Sequence, residues 1–210
     1  MCQGPLRRRL SETIAARIDE FGQIDEQRSS ALRALAGYVT GGIASAERVR
    51  LVFICTHNSR RSQMAQIWAQ TAAAHHGVTG VETYSGGTAA TAFNPRAVAA
   101  MQRAGFGIEV QGDGTNPVYH VRFSDTDEPM EAFSKVYDQP PNPTSHFAAV
   151  MTCSEADTSC PLVTGADRRF TITYQDPKAF DGTNRETEAY DTRCRQIARE
   201  MLFVFSQVRS

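Results

Sequence analysis

Four consecutive apolar residues, Leu51-Val52-Phe53-Ile54, run into a polar loop, and the loop runs into a helical stretch from Ser62 to about His76. A strand with one wet face alternates apolar and polar residues; an uninterrupted run has no wet face, so this strand must lie inside a sheet covered on both sides. Such sheets are parallel and need helical crossovers between strands. The chain supplies them. Gly77 suits a helix C-cap, Val81-Glu82-Thr83-Tyr84 reads as a second strand, and Asn94-Pro95 opens another helix, as cap and first helical residue, running to about Ala104 before Gly105. Phe147-Ala148-Ala149-Val150-Met151 resumes the sheet and Phe170-Thr171-Ile172-Thr173 adds a strand. From Arg185 to about Val208 a terminal helix buries Tyr190, Cys194, Ile197, Met201 and Phe205. The predicted fold class is α/β, a parallel sheet flanked by helices.

Two regions stand outside this repeat. From Leu10 to about Ala44 apolar residues fall at helical spacing (Ile14, Ile18, Phe21, then Leu32, Leu35, Ala36, Val39), which predicts two helices, with Gly41 to Ser45 as a short connector. Between Gly112 and Ser145 the segment Val118 to Phe123, the stretch Ala132 to Tyr137 and the proline-rich Gln139 to Pro143 predict a β-hairpin inserted at the sheet edge. The expected organisation is a helical extension over residues 1–45 and a catalytic domain over 46–210, with the hairpin at about 112–145.

Charge narrows the partners. With 22 Lys+Arg against 23 Asp+Glu the chain has no electrostatic footprint for a polyanion, and its one basic run, Arg7-Arg8-Arg9, reads as a solvated segment, so no nucleic-acid partner is expected. No run approaches the ~18 apolar residues of a membrane span, and Met1-Cys2-Gln3-Gly4-Pro5 leads into arginines instead of a signal-peptide core. No membrane partner and a cytoplasmic location are expected, where thiols stay reduced. Any chemistry done by the five cysteines, Cys2, Cys55, Cys153, Cys160 and Cys194, is then catalytic or redox and not that of a disulfide framework, with Cys194 on a helix face read as core. With no Cys-x2-Cys pair and no histidine spacing to match, no metal is expected.

The most informative segment is Cys55-Thr56-His57-Asn58-Ser59-Arg60-Arg61-Ser62, placed where the buried strand ends and a helix begins. Such a loop turns successive backbone N–H groups inward, and the helix N-terminus adds its positive end, so residues 56–62 make a candidate site for a tetrahedral oxyanion. Arg61 can close it with a planar fork, and cationic surroundings of this kind favour a thiolate at Cys55. Cys, five residues, then Arg-Ser resembles the signature of the low-molecular-weight protein tyrosine phosphatases and of the arsenate reductases built on their fold. The resemblance, covering roughly residues 49 to 207, implies a low-molecular-weight phosphatase-like sheet. Within it Cys55 would be the attacking thiolate, Arg61 the oxyanion clamp, Asn58 a loop-shaping residue and Ser62 a hydroxyl donor to the thiolate. His57 stands where these families usually carry glycine.

A second segment, Met151-Thr152-Cys153 through Cys160-Pro161, resembles the redox loop of thioredoxin-coupled arsenate reductases: a strand, then Cys, six residues, Cys and Pro. The implied relay passes from Cys55 to Cys153 to Cys160, with thioredoxin as reductant, arsenate or phosphate as the bound oxyanion, and no organic cofactor. Were 153 to 160 helical, the two Cα atoms would stand at least ~10 Å apart, against the roughly 5.5–6 Å of a disulfide. The segment must therefore unwind or loop out on oxidation.

Downstream, Tyr174-Gln175-Asp176-Pro177-Lys178 resembles the Asp-Pro loop that both families place over the site, where Asp176 would move protons. Phosphotyrosine phosphatases usually follow Asp-Pro with aromatic residues, whereas Lys178-Ala179 come next here. Some of these reductases bind a monovalent cation beside the loop; Asn58 and Ser85 match, but Gln66 replaces a glutamate, which argues against that site. The readings are an arsenate reductase, a phosphatase whose extra thiols protect Cys55, or an arsenite or oxyanion binder without turnover.

Overall fold

The computed structural model describes residues 4–159 and 162–209; Cys2, Cys160 and Pro161 lie outside the described residues. Its elements run α1 (Arg8–Ile18), α2 (Glu26–Ala44), β1 (Val49–Cys55), α3 (Arg61–His75), β2 (Val81–Gly87), α4 (Pro95–Ala104), β3 (Gly107–Gln111), β4 (Val118–Arg122), β5 (Met130–Ala132), β6 (Phe147–Met151), α5 (Ser154–Ser159), β7 (Ala166–Thr171) and α6 (Glu186–Ser206). Asn94 caps α4 by accepting from Arg96 N, and Gly105 ends it in the left-handed region, as the sequence predicts.

The four parallel strands lie in the order β2-β1-β6-β7. β1 is interior, pairing with β2 from Val49↔Val81 to Cys55↔Gly87 and with β6 from Leu51↔Ala148 to Ile54↔Met151. Side chains alternate across the strand, and both sets are buried. Leu51 and Phe53 join the core beneath α3 and α6, while Val52 and Ile54 pack with Phe147, Ala149, Met151 and Ala156 on the other face. After β1 the chain crosses to β2 on one side; after β6 it crosses to β7 on the other. The crevice outside the carboxyl ends of β1 and β6 is therefore the topological switch point, where open α/β sheets bind ligands.

Helix α3 is buried on nearly every side. Its Trp68 is inaccessible, meets Phe106 edge-on at 4.9 Å and donates from Nε1 to Cys194 Sγ of α6 at 3.3 Å. Leu10, Ile14, Leu32, Leu35 and Val39 of α1 and α2 enter this same core. Among the described residues no helix is long and apolar enough to cross a membrane.

Three details differ from the sequence reading. The connector expected at Gly41 to Ser45 is the last turn of α2, because Gly42 lets the helix approach β1: a Cβ there would meet Val49 Cγ2 at 2.5 Å. The hairpin is present, but it begins earlier, with β3, and forms its own antiparallel sheet β3-β4-β5. The chain after β5 then meets the end of β2, through the bridge Gly87↔Val136 and a hydrogen bond from Asn142 Nδ2 to Ser85 O. The last strand likewise begins earlier, at Ala166, and ends at Thr171.

Helical glycines normally lose about 1 kcal/mol against alanine. Cβ atoms added at Gly37 and Gly41 meet nothing within 4 Å, so G37A and G41A are expected to stabilise the protein by about 0.5–1 kcal/mol. G42A is expected to destabilise it by about 1–3 kcal/mol through overpacking. Urea unfolding of the three variants checks the change of sign.

Candidate active site

Cys55 ends β1, almost fully buried, with Sγ 3.1 Å from Ser62 Oγ in the first turn of α3. The direction of that contact follows from Asn58. The backbone N–H of Lys135, which can only donate, lies 3.0 Å from one side-chain atom of Asn58, so that atom is the carbonyl oxygen Oδ1. The other, Nδ2, then donates to Ser62 Oγ at 2.8 Å, leaving the serine hydroxyl proton for the Cys55 sulfur. Asn58 is inaccessible and has φ +46°, a left-handed conformation that asparagine tolerates better than most residues.

The loop is braced from behind by residues that carry no recognisable motif. Ser134 Oγ donates to His57 O at 2.9 Å and accepts from Thr91 N at 2.8 Å. Gln63 Nε2 bridges Asn58 Oδ1 at 3.2 Å and Phe133 O at 2.8 Å. Gly87 N donates to Lys135 O at 2.9 Å, and a Cβ on Gly87 would lie 2.7 Å from Asn58 N, so only glycine lets strand, loop and strap converge here. The strap, residues 133–135, follows β5, far along the chain from the loop. The Lys135 side chain is also buried; its Nζ donates to Phe133 O at 3.2 Å and sits 4.4 Å over the Phe133 ring, and burial pushes its ammonium down to about 8.

Arg61 is buried at the mouth of the loop. Its Nη1 donates to Tyr174 O at 3.0 Å and its Nη2 to Asp176 Oδ2 at 2.8 Å, so the fork expected to clamp an oxyanion is engaged by the Asp-Pro segment. Asp176 caps the short helical turn Pro177–Phe180 by accepting from Lys178 N at 3.0 Å. Arg60 Nη1 stands 3.5 Å from Asp176 Oδ2, while its Nε donates to Tyr190 OH at 3.1 Å. Thr56, His57, Ser59, Arg60, Arg61 and Asp176 line an open cleft of about 390 Å³ completed by Thr91, Glu155 and Lys178, with no Phe, Tyr or Trp among the described residues that line it. The recess directly above Cys55 is only about 10 Å³. Asp176, paired with Arg61, is part of the lining of that recess. A groove of about 890 Å³ lies at the opposite end of the sheet, beside Val49 and Arg50, away from these groups.

Cys153 follows β6 at the same edge. It is inaccessible, its Sγ lies 3.5 Å from Thr56 Oγ1, and Ala156 N donates to it at 3.4 Å. Burial pushes its thiol up, opposed by those two hydrogen bonds and by Arg61. Helix α5 occupies Ser154–Ser159, and its Glu155 Oε2 stands 3.7 Å from Arg61 Nη1. Cys194, by contrast, is a core residue whose thiol burial drives to about 12.

Asn58, Gln66 and Ser85, the positions weighed for a monovalent cation, are all buried. Gln66 Oε1 and Ser85 Oγ are buried without a hydrogen-bond partner among the described residues. Asn58 Oδ1 accepts from Gln63 Nε2 and from Lys135 N.

Residues 50–128 match the low molecular weight phosphotyrosine protein phosphatase family. An arsenate reductase of Bacillus licheniformis is 30% identical over 158 residues, 75% of this chain and 94% of that protein. Another, of Shouchella clausii, is 29% identical over 136 residues, 65% of this chain and 79% of that protein. A low-molecular-weight phosphotyrosine phosphatase structure from Vibrio cholerae O395 shares the fold, with a TM-score of 0.51 at 14% identity over 75% of this chain and 95% of that one. Fold and loop thus define a member of the low-molecular-weight phosphatase superfamily, and within it the chain belongs to the family of the arsenate reductases.

Because the folded state holds the Lys135 proton less tightly than the unfolded state, with about 8 against an ordinary 10.5, the unfolded chain binds more protons between those values and stability rises with pH there. K135M is expected to be more stable than the wild type at pH 7, by about 2 kcal/mol, and the difference should shrink towards pH 10. Urea midpoints across that range measure it.

Proposed function

We propose that the protein reduces arsenate to arsenite through a relay of three cysteines. The observation that carries this reading is the second thiol. Cys153 comes off the strand next to Cys55 and meets the first residue of the oxyanion loop at 3.5 Å, a placement that hydrolysis of a thiophosphate does not need. Residues 56–62 cradle the oxyanion through backbone N–H groups, and Arg61 turns its fork from Asp176 to the bound anion. The Cys55 thiolate, steadied by the Ser62 hydroxyl, attacks arsenic, and one arsenate oxygen leaves as water with protons that Asp176 helps to deliver. Cys153, as thiolate, then attacks Cys55 Sγ; the arsenic–sulfur bond breaks, its electron pair stays on arsenic, and arsenite leaves. Cys160 attacks Cys153 Sγ, which frees Cys55 and forms a Cys153–Cys160 disulfide.

A dithiol reductant of the thioredoxin type reopens that disulfide. The segment between the two cysteines carries Ser154, Asp157 and Thr158, poor helix formers that make unwinding inexpensive. A cycle that begins and ends with three free thiols suits the reducing cytoplasm. A cleft with no Phe, Tyr or Trp among its described lining residues favours a small inorganic oxyanion over a phosphotyrosine ring.

In a coupled assay with thioredoxin, thioredoxin reductase and NADPH, the wild type should consume NADPH only with arsenate, and C55S should consume none. C153S should release no arsenite, and C160S should stop after at most one turnover. Sustained cycling of C160S would refute the relay. Rapid hydrolysis of p-nitrophenyl phosphate with no arsenate-dependent oxidation would make the extra thiols a redox guard for a phosphatase.

A further inference from the structure

Helices α1 and α2 lie outside the matched family segment, yet one of their side chains reaches the active-site segment. Arg28, in the first turn of α2, donates from Nε at 3.0 Å and Nη2 at 2.7 Å to Oε2 of Glu200 on α6. That carboxylate is buried, at 2% side-chain exposure. Its other oxygen accepts from Gln196 Nε2 at 3.0 Å, so its place is fixed from both sides. The Arg28 guanidinium carbon stands 4.8 Å over the centre of the buried Tyr174 ring.

Tyr174 is where this contact becomes relevant to the chemistry. Its carbonyl accepts from Arg61 Nη1, and two residues later Asp176 accepts from Arg61 Nη2. Its backbone N–H donates to Thr152 O at 3.0 Å, the residue before Cys153. A ring pinned between a fixed cation and the core cannot slide without carrying its own carbonyl, and that carbonyl is one of the two acceptors that orient Arg61. A buried ion pair adds little to stability by itself when set against an apolar pair of the same size, so stability is a weak reason for Arg28 to be there.

We propose that Arg28 is a positioning residue for the active site: held by Glu200 and stacked on Tyr174, it sets the Tyr174–Asp176 segment and thereby the orientation of Arg61 and Asp176. Helix α2 is then part of the apparatus that positions the catalytic groups. The inference rests on the proposed roles of Arg61 and Asp176 in the arsenate step.

The test uses full-length R28M, R28K, D176N and R28M/D176N, with three readouts: steady-state arsenate reduction, protection of Cys55 from iodoacetamide by inorganic phosphate, and thermal unfolding. R28M is expected to lower kcat about 10- to 100-fold, the range that small misplacements of catalytic groups produce, and to weaken phosphate protection. In the D176N background its effect on kcat should shrink, because the part of it that runs through Asp176 is already lost, while the part that runs through Arg61 persists. R28K keeps the charge on Glu200 but loses the planar face over Tyr174; a smaller loss of the same kind is expected, and R28K decides the matter if R28M does not fold. Wild-type kcat, KM and phosphate protection in R28K or R28M, whatever the melting temperature, would overturn the proposal. So would effects of R28M and D176N that multiply. If D176N alone is fully active, the role given to Asp176 fails instead, and Arg28 is judged on phosphate protection, which reads Arg61.

Discussion

The side-chain amide of Asn58 is the contact on which the rest of the site depends. One face accepts N–H groups from Lys135 and Gln63; the other donates to Ser62, and Ser62 then has one proton left, aimed at Cys55. A single planar group in a left-handed backbone position converts the arrival of a distant strap into a fixed orientation for the hydroxyl beside the nucleophile. An aspartate could not do this, having no donor for Ser62.

The two thiols at the crevice are treated differently by their surroundings. Cys55 lies at the root of the loop, beside the Ser62 hydroxyl, in a recess that Arg60 and Arg61 also line. Cys153 is buried among apolar side chains, its thiol pushed up, with Thr56 and Ala156 as its hydrogen-bond partners. A relay needs such asymmetry, since the first thiol must meet an anion and the second must wait until an electrophilic sulfur is beside it. Asp176 spans the entrance between Arg60 and Arg61, neutralising the fork that an oxyanion would use.

Two additions to the compact sheet converge on this crevice from opposite sides. The strap after β5 holds the back of the loop through His57, Asn58 and Gln63. Helix α2 reaches the front through Arg28, Glu200 and Tyr174. Each makes its contact with backbone carbonyls or buried polar groups, whose hydrogen bonds tolerate little displacement once water is excluded.

The sequence by itself determined the elements and the chemistry that depends on near neighbours. The unbroken run Leu51 to Ile54 specified a two-faced strand, Asn94-Pro95 and Gly105 bounded a helix, and Cys55 through Ser62 marked a strand-to-helix loop, because periodicity, caps and loop-helix junctions are set within a few residues. The glycines of α2 misled, since a glycine that permits close packing on Val49 looks in sequence like one that ends a helix. The start of the hairpin at Gly107 was equally hidden, in a strand too exposed to show a buried pattern. Only the tertiary structure decided that Cys153 lies against Thr56, that Asp176 occupies Arg61, and that Ser134, Lys135, Tyr190 and Arg28 belong to the site. These pairings join residues many tens of positions apart, and no local rule encodes them; they exist because the strand order β2-β1-β6-β7 brings the ends of β1 and β6 together and the core fixes what folds back over them.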